Sequence, residues 1–336
     1  MFKNVLSAAV AVLLLAGCNM GNLGFYLYPQ AASTGIAEVK TSGPLAGLEV
    51  VGYLPAYKIA KIPASQTRHL TDLVYFTLGV HSDASVAHGV LTASHRDFLR
   101  NVKRDYGVRI LMGVTDHSQS GNLAAVAASP ELRTRFALNL TEFLVTEGFD
   151  GADFDWEYPT NGQMDGYAEL LTAVKAQFGP RNLRLSVAIS PGKPLSAQGF
   201  AAVDRVHGML YDDDGRHSTL ENTAEHVRQL LAEGVAPSQL LLGVPFYGRG
   251  YTRSGPAWSS AVSYKTLRER YDVDPTQDTV SGYYFNGSQT VRRKVEFAKA
   301  AGLSGVMIWE IGQDTTDDAS LLAAITQARR DLERVN

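Results

Sequence analysis

From residue 48 onward, short apolar and β-branched runs alternate with longer stretches in which apolar residues recur every three or four positions. The first kind reads as buried strands and the second as amphipathic helices. The strand candidates are Val50–Leu54, Asp72–Leu78, Arg109–Val114, Gly151–Trp156, Arg184–Ile189, Arg205–Leu210, Leu240–Pro245 and Gly305–Trp309. Helical patterns fall between most of them, at Pro130–Thr146, Met164–Phe178, Leu220–Glu233 and Val291–Ala300, and Leu321–Leu332 reads as a closing helix. Within the second of these, Tyr167, Leu170, Leu171 and Val174 share one face. Strand units with helical returns over roughly 290 residues predict an α/β fold, a (β/α)8 barrel of the TIM type. The rival is a doubly wound open sheet. Such sheets usually carry a Gly-rich phosphate loop after the first strand, and Gly52-Tyr53-Leu54-Pro55 is not one.

The N-terminal pattern is different. Lys3 is the only charge before a nearly continuous apolar run from Val5 to Leu15. A membrane span needs about 20 residues. A charged start, apolar middle and small residues at the end instead describe a signal peptide. It closes on Leu15-Ala16-Gly17-Cys18, which resembles a bacterial lipobox, and Cys18 is the only cysteine of the chain. The resemblance implies a lipoprotein signal peptide over residues 1–18 and lipidation of Cys18, which anchors the protein to a membrane of the cell envelope. Asn19, not Asp, follows. In a Gram-negative host this implies the outer membrane, with the periplasmic and surface faces both open. Residues 19–47 mix Gly, Ser, Thr and Pro without a sustained period and read as a tether to a catalytic barrel over residues 48–336.

Of the 336 residues, 45% are hydrophobic, ample for a sizeable core. Lys and Arg total 31 against 34 Asp and Glu, with no basic block, which argues against nucleic acid as a partner. A monomer is expected.

The chemistry concentrates in Asp150-Gly151-Ala152-Asp153-Phe154-Asp155-Trp156-Glu157-Tyr158-Pro159. Strand side chains alternate faces, so Asp153, Asp155 and Glu157 share one face and Phe154 and Trp156 the other. Folding alone does not favour clustered carboxylates inside a barrel, since buried charge is costly unless paired or protonated. Their mutual repulsion is useful if one must hold a proton near neutral pH. Glu157, at the open end, is the natural general acid, with Asp153 and Asp155 deeper and sharing a proton. A Mg²⁺ or Ca²⁺ site is the chemical alternative, since hard cations take clustered carboxylates.

This run resembles the signature Asp-Gly-x-Asp-x-Asp-x-Glu of glycoside hydrolase family 18, the chitinase family, matched without a gap from Asp150 to Glu157. Val51-Gly52-Tyr53 resembles that family's first strand, Met209-Leu210-Tyr211-Asp212 its sixth, Gly243-Val244-Pro245-Phe246-Tyr247-Gly248-Arg249 its seventh and Gly305-Val306-Met307-Ile308-Trp309-Glu310 its eighth. Gly113-Val114-Thr115-Asp116 departs from the family's Ser-x-Gly-Gly, and the short stretch between strands seven and eight leaves no room for a full chitinase insertion domain, which implies a more open cleft. The resemblance implies hydrolysis of β-1,4 bonds after N-acetylglucosamine in chitin or chitooligosaccharides, by substrate-assisted retention with no cofactor or metal. Glu157 would act as acid and base, Asp155 would orient the acetamide, Asp153 would exchange a proton with Asp155, and Tyr211 would donate to the acetamide oxygen. Asp212, Trp309, Met209, Tyr158, Tyr53, Tyr247 and Arg249 would contact substrate. The alternatives are an endo-β-N-acetylglucosaminidase acting on N-glycans or other GlcNAc polymers, and a chitin-binding lectin without catalysis.

Overall fold

A computed structural model of the chain describes residues 47–87, 89–116, 120–193, 195–251, 260–274 and 276–334. Residues 1–46, on which the expected signal peptide, the expected lipidation of Cys18 and nearly all of the expected tether fall, lie outside the described residues. All eight predicted strands form: β1 (Glu49–Pro55), β2 (Asp72–Val80), β3 (Arg109–Thr115), β4 (Gly151–Asp155), β5 (Arg184–Ile189), β6 (Arg205–Gly208), β7 (Leu240–Pro245) and β8 (Gly305–Trp309). Each pairs in parallel with its sequence neighbours, and β1 pairs with both β2 and β8, which closes the sheet into a barrel. Close approach is enforced where β8 begins: a Cβ at Gly305 would lie 2.0 Å from the Glu49 carbonyl oxygen.

The strands are apolar on both faces for two different reasons. Inward, Val51, Tyr53, Val74, Leu111, Leu241 and Met307 fill the barrel. Outward, side chains meet the returning helices α1 (Ala93–Tyr106), α2 (Asn122–Ala128), α3 (Pro130–Glu147), α4 (Met164–Phe178), α5 (Ala197–Ala202), α6 (Leu220–Ala232), α7 (Tyr264–Arg270), α8 (Ser288–Ala300) and α9 (Leu321–Arg334). The outer face of β4 shows the pattern. Phe154 packs edge-on against Phe136 of α3, and Trp156, just beyond the strand, packs edge-on against Tyr167 of α4.

Three details refine the sequence expectation. The return after β1 is two 3₁₀ turns, Ala56–Lys61 and Ala64–His69, and not an α-helix. Strand β6 stops at Gly208, short of the expected Leu210, whose carbonyl accepts from the Ser218 hydroxyl of its own loop. Between β7 and β8 the chain does fold a small antiparallel sheet, from Tyr247–Gly250, Val262–Ser263, Thr279–Val280 and Tyr283–Tyr284, alongside α7. No helix among the described residues is long and apolar enough to cross a membrane.

The end of the barrel where the strands begin is closed by ions. Glu49 opens β1 and accepts from Arg184 of β5 and Arg205 of β6, both at 2.9 Å. Asp72 opens β2 and accepts from both arms of Arg109 of β3 at 2.7 Å, and from Arg184 at 3.1 Å. Burial alone would raise both carboxyls. The arginines outweigh it and hold both below their ordinary values. Removing one partner of a buried pair leaves the others uncompensated. Glu49→Ala is therefore expected to lower stability by about 3 kcal/mol, read by urea unfolding. The lowered carboxyls contribute stability that is complete above the unfolded-chain values of 4.5 and 3.8 and is lost as pH falls through the lower folded values. The difference between wild type and Glu49→Ala should accordingly shrink in acid.

Candidate active site

At the opposite end, β4 delivers its three acids at graded depth. Asp153 is 0% exposed and Asp155 5%, while Glu157, two residues past the strand, is exposed. Period-2 alternation puts all three toward the barrel axis, and the packing of Phe154 and Trp156 on helices fixes that choice of face.

Asp153 sits among donors from three other strands. The Tyr53 hydroxyl of β1 donates to its Oδ2 at 2.5 Å, and the Ser186 hydroxyl of β5 donates to its Oδ1 at 2.5 Å. His207 of β6 places Nδ1 3.0 Å from Oδ1 and 2.8 Å from the Tyr53 oxygen. Burial pushes this carboxyl up, but His207, Ser186 and Tyr53 together bring it below its ordinary value. Asp155 lacks such partners, and its buried Oδ1 accepts no hydrogen bond. Burial first, then the charges of Glu157 and Asp153, drive its carboxyl well above the ordinary range. The expected sharing is therefore unequal: the surroundings push the Asp153 carboxyl down and the Asp155 carboxyl up.

Above them opens a cleft of about 290 Å³, lined by Asp155, Glu157, Tyr158, Met209, Tyr211, Asp212, Tyr247, Arg249 and Trp309. Nearly every side chain predicted for the site thus faces one cavity. Trp309, half-buried, closes the floor with its ring 5.6 Å from Tyr53 and 5.4 Å from Phe76. Tyr158 pairs with the Ser190 hydroxyl at 2.9 Å. Asp212 is clamped by the Tyr247 hydroxyl at 2.6 Å and by Arg249, Nε at 2.8 Å and Nη2 at 2.7 Å. These donors outweigh its burial and lower its carboxyl. The loop that carries Tyr211 and Asp212 is pinned from behind, since Lys294 of α8 donates to both the carbonyl and the hydroxyl of Ser218.

Tyr53 corrects an expectation. It is 1% exposed and lies beneath the cleft, so it reaches Asp153 and not substrate. The reason is register: two residues below the end of β1, its ring lies one layer too deep. Sequence reasoning missed Ser186 and His207 beside Asp153, and Ser190, Ala261 and Gln313 in the cleft wall. Ser186 and His207 were findable in principle, since each occupies an inward position of a predicted strand, but no local motif marks them. Among the described residues, no group of three or more His, Cys, Asp or Glu is arranged to hold a metal ion.

A family model described as glycosyl hydrolases family 18 matches residues 49–314. Among curated proteins the chain is similar to Probable chitinase 10 of Drosophila melanogaster, 26% identical over 277 residues, covering 63% of this chain and 12% of that protein. It is also similar to Chitinase 1 of Aphanocladium album, 24% identical over 346 residues, covering 81% of each. Among solved structures it is similar to the GH18 chitinase ChiB of Flavobacterium johnsoniae, with a TM-score of 0.75 and 24% identity over 85% of this chain and 95% of that one. At that identity the structural likeness speaks for the fold.

The environment of Asp155 has a consequence for stability. A carboxyl whose folded value lies above its unfolded value of 3.8 loses stability as pH rises from the lower to the higher value, about 1.4 kcal/mol for each unit between them. Asp155→Asn removes that charge, so it should raise the melting temperature at pH 8. The gain should shrink toward pH 4, and thermal unfolding at both values checks it.

Proposed function

The chain belongs to glycosyl hydrolases family 18 and is a glycoside hydrolase, and from that premise we propose that it cleaves β-1,4 bonds after N-acetylglucosamine in chitin or chitooligosaccharides, with the substrate's own acetamide as nucleophile. The observation that carries this reading is the setting of Asp155, buried beneath Glu157 with an Oδ1 that accepts no hydrogen bond, which pushes its carboxyl up. A retaining glycosidase ordinarily needs an ionised carboxylate to attack C1, and this family is an exception. Of the carboxyls in the cleft, Asp155 is pushed toward its protonated form and Asp212 is clamped by Tyr247 and Arg249. That leaves Glu157 as the free acid and base, and no second carboxylate as nucleophile among the described lining residues.

The steps follow from those positions. Glu157 gives its proton to the leaving glycosidic oxygen as the C1–O bond breaks. The acetamide carbonyl oxygen attacks C1 and forms an oxazolinium-like ring. Asp155 turns to the acetamide N–H, fixes its orientation and offsets the developing positive charge. Tyr211 donates to the acetamide oxygen, and Trp309 gives the distorted sugar an apolar floor. Glu157, now a carboxylate, then takes a proton from water as that water opens the ring. Two displacements at C1 restore the β configuration.

NMR of fresh product from chitin oligomers should show the β anomer first, and fully deacetylated chitosan should not be cleaved. An α anomer appearing first means direct attack by water and overturns the mechanism. Glu157→Gln should fold normally and lose at least about a hundredfold in kcat, the lower range for general acid–base catalysis. Near-normal activity in that variant would remove Glu157 from the role of acid.

A further inference from the structure

His207 is fully buried beneath the cleft and takes no part in the steps above, yet it touches the deepest acid. We propose that His207 is a positioning residue for the reaction: through Asp153 and Tyr53 it keeps Asp153 ionised, so that the proton of the carboxylate pair stays on Asp155. The proposal rests on the reading of Asp155 as the partner of the acetamide.

The geometry supplies the reason. His207 Nδ1 lies 2.8 Å from the Tyr53 oxygen and 3.0 Å from Asp153 Oδ1. In the tautomer with its hydrogen on Nδ1, that hydrogen serves both acceptors. The Tyr53 oxygen is then occupied as an acceptor, and its own hydrogen can only point at Asp153 Oδ2, 2.5 Å away. Ser186 donates to Oδ1. A hydroxyl alone can rotate and accept, so Tyr53 and Ser186 by themselves would accommodate a protonated Asp153 equally well. The imidazole N–H of that tautomer, unlike a hydroxyl, does not become an acceptor by rotation. It therefore decides which way the Tyr53 hydroxyl points and which protonation state of Asp153 is hydrogen-bonded.

The surroundings leave few other groups able to do this. Asp153 faces Tyr53 of β1, Ser186 of β5, His207 of β6 and, along its own strand, Asp155. Tyr167 of α4 lies within its field, and Glu157 and Tyr211 act on Asp155 from above. The remaining strands offer apolar groups: Val74 and Phe76 of β2, Leu111 of β3, Leu241 of β7, Met307 and Trp309 of β8. Of the neighbours of Asp153, His207 is the largest influence opposing its burial. If Asp153 took the proton, Asp155 would be left as a buried anion directly below Glu157 and would have no proton to carry upward.

The test is the pH profile of kcat. Without the imidazole, Asp153 protonates more easily, so the acidic limb of His207→Leu should move to higher pH by about one unit or more, the scale on which a lost hydrogen-bond partner shifts a buried carboxyl. KM should change little, because His207 does not reach the cleft. His207→Asn keeps an N–H donor and should recover part of the shift. Tyr53→Phe breaks the same chain one link on and should move the limb in the same direction, which keeps the test decisive if His207→Leu does not fold. A limb that stays in place in all the folded variants, with kcat lowered equally at every pH or not at all, overturns the proposal and leaves His207 a packing residue. Asp155→Asn separates the two readings. If it retains full kcat, the acetamide role of Asp155 fails; if it is impaired while the limb stays fixed in the His207 variants, only the role of His207 falls.

Discussion

The placing of three carboxylates at successive inward positions of one barrel strand is the constraint around which the rest of the molecule is arranged. Charges inside a protein are weakly screened, and each must be paired, hydrogen-bonded or neutralised. The barrel meets each requirement at a different depth. Asp153, the deepest, receives donors from β1, β5 and β6. Asp155, one step higher, receives no such set and is driven toward its protonated form. Glu157, past the strand end, stands in the open cleft. One strand and one period thus yield three acids with three different environments, and environment assigns roles that the residue type does not.

The two ends of the barrel handle charge in opposite ways. Where the strands begin, Glu49 and Asp72 are matched by Arg109, Arg184 and Arg205 in a closed ring, which lowers both carboxyls. Where the strands end, matching is withheld from Asp155 and Glu157. The one fully clamped acid of the cleft, Asp212, is gripped by Tyr247 and Arg249 from the small sheet between β7 and β8. That sheet is far smaller than a domain, but its position lets it build one wall of the cleft and fix Asp212 at the same time.

Much of the fold was legible because its signals are local. Buried parallel strands are continuous apolar runs, and helices such as Met164–Phe178 show their stripe directly. The alternation of Asp153, Asp155 and Glu157 with Phe154 and Trp156 required only the geometry of a strand. The details it did not show depend on partners distant in the chain. Leu210, just past the end of β6, bonds to Ser218, and the small sheet is assembled from strands of two to four residues that carry no period to read.

By itself the sequence determined the order of the strands, the face each acid occupies and the identity of the acid at the open end, because backbone periodicity and side-chain chemistry are properties of neighbouring residues. Tertiary structure alone decided how the surroundings of the two deeper acids differ, because Tyr53, Ser186 and His207 reach Asp153 from positions 100, 33 and 54 residues away. It also decided that Tyr53 serves Asp153 and not the cleft, since that depends on how far β1 rises beside β4 within the closed barrel. Electrostatic environment is a sum over neighbours in space, and chain order does not list those neighbours until the barrel has closed.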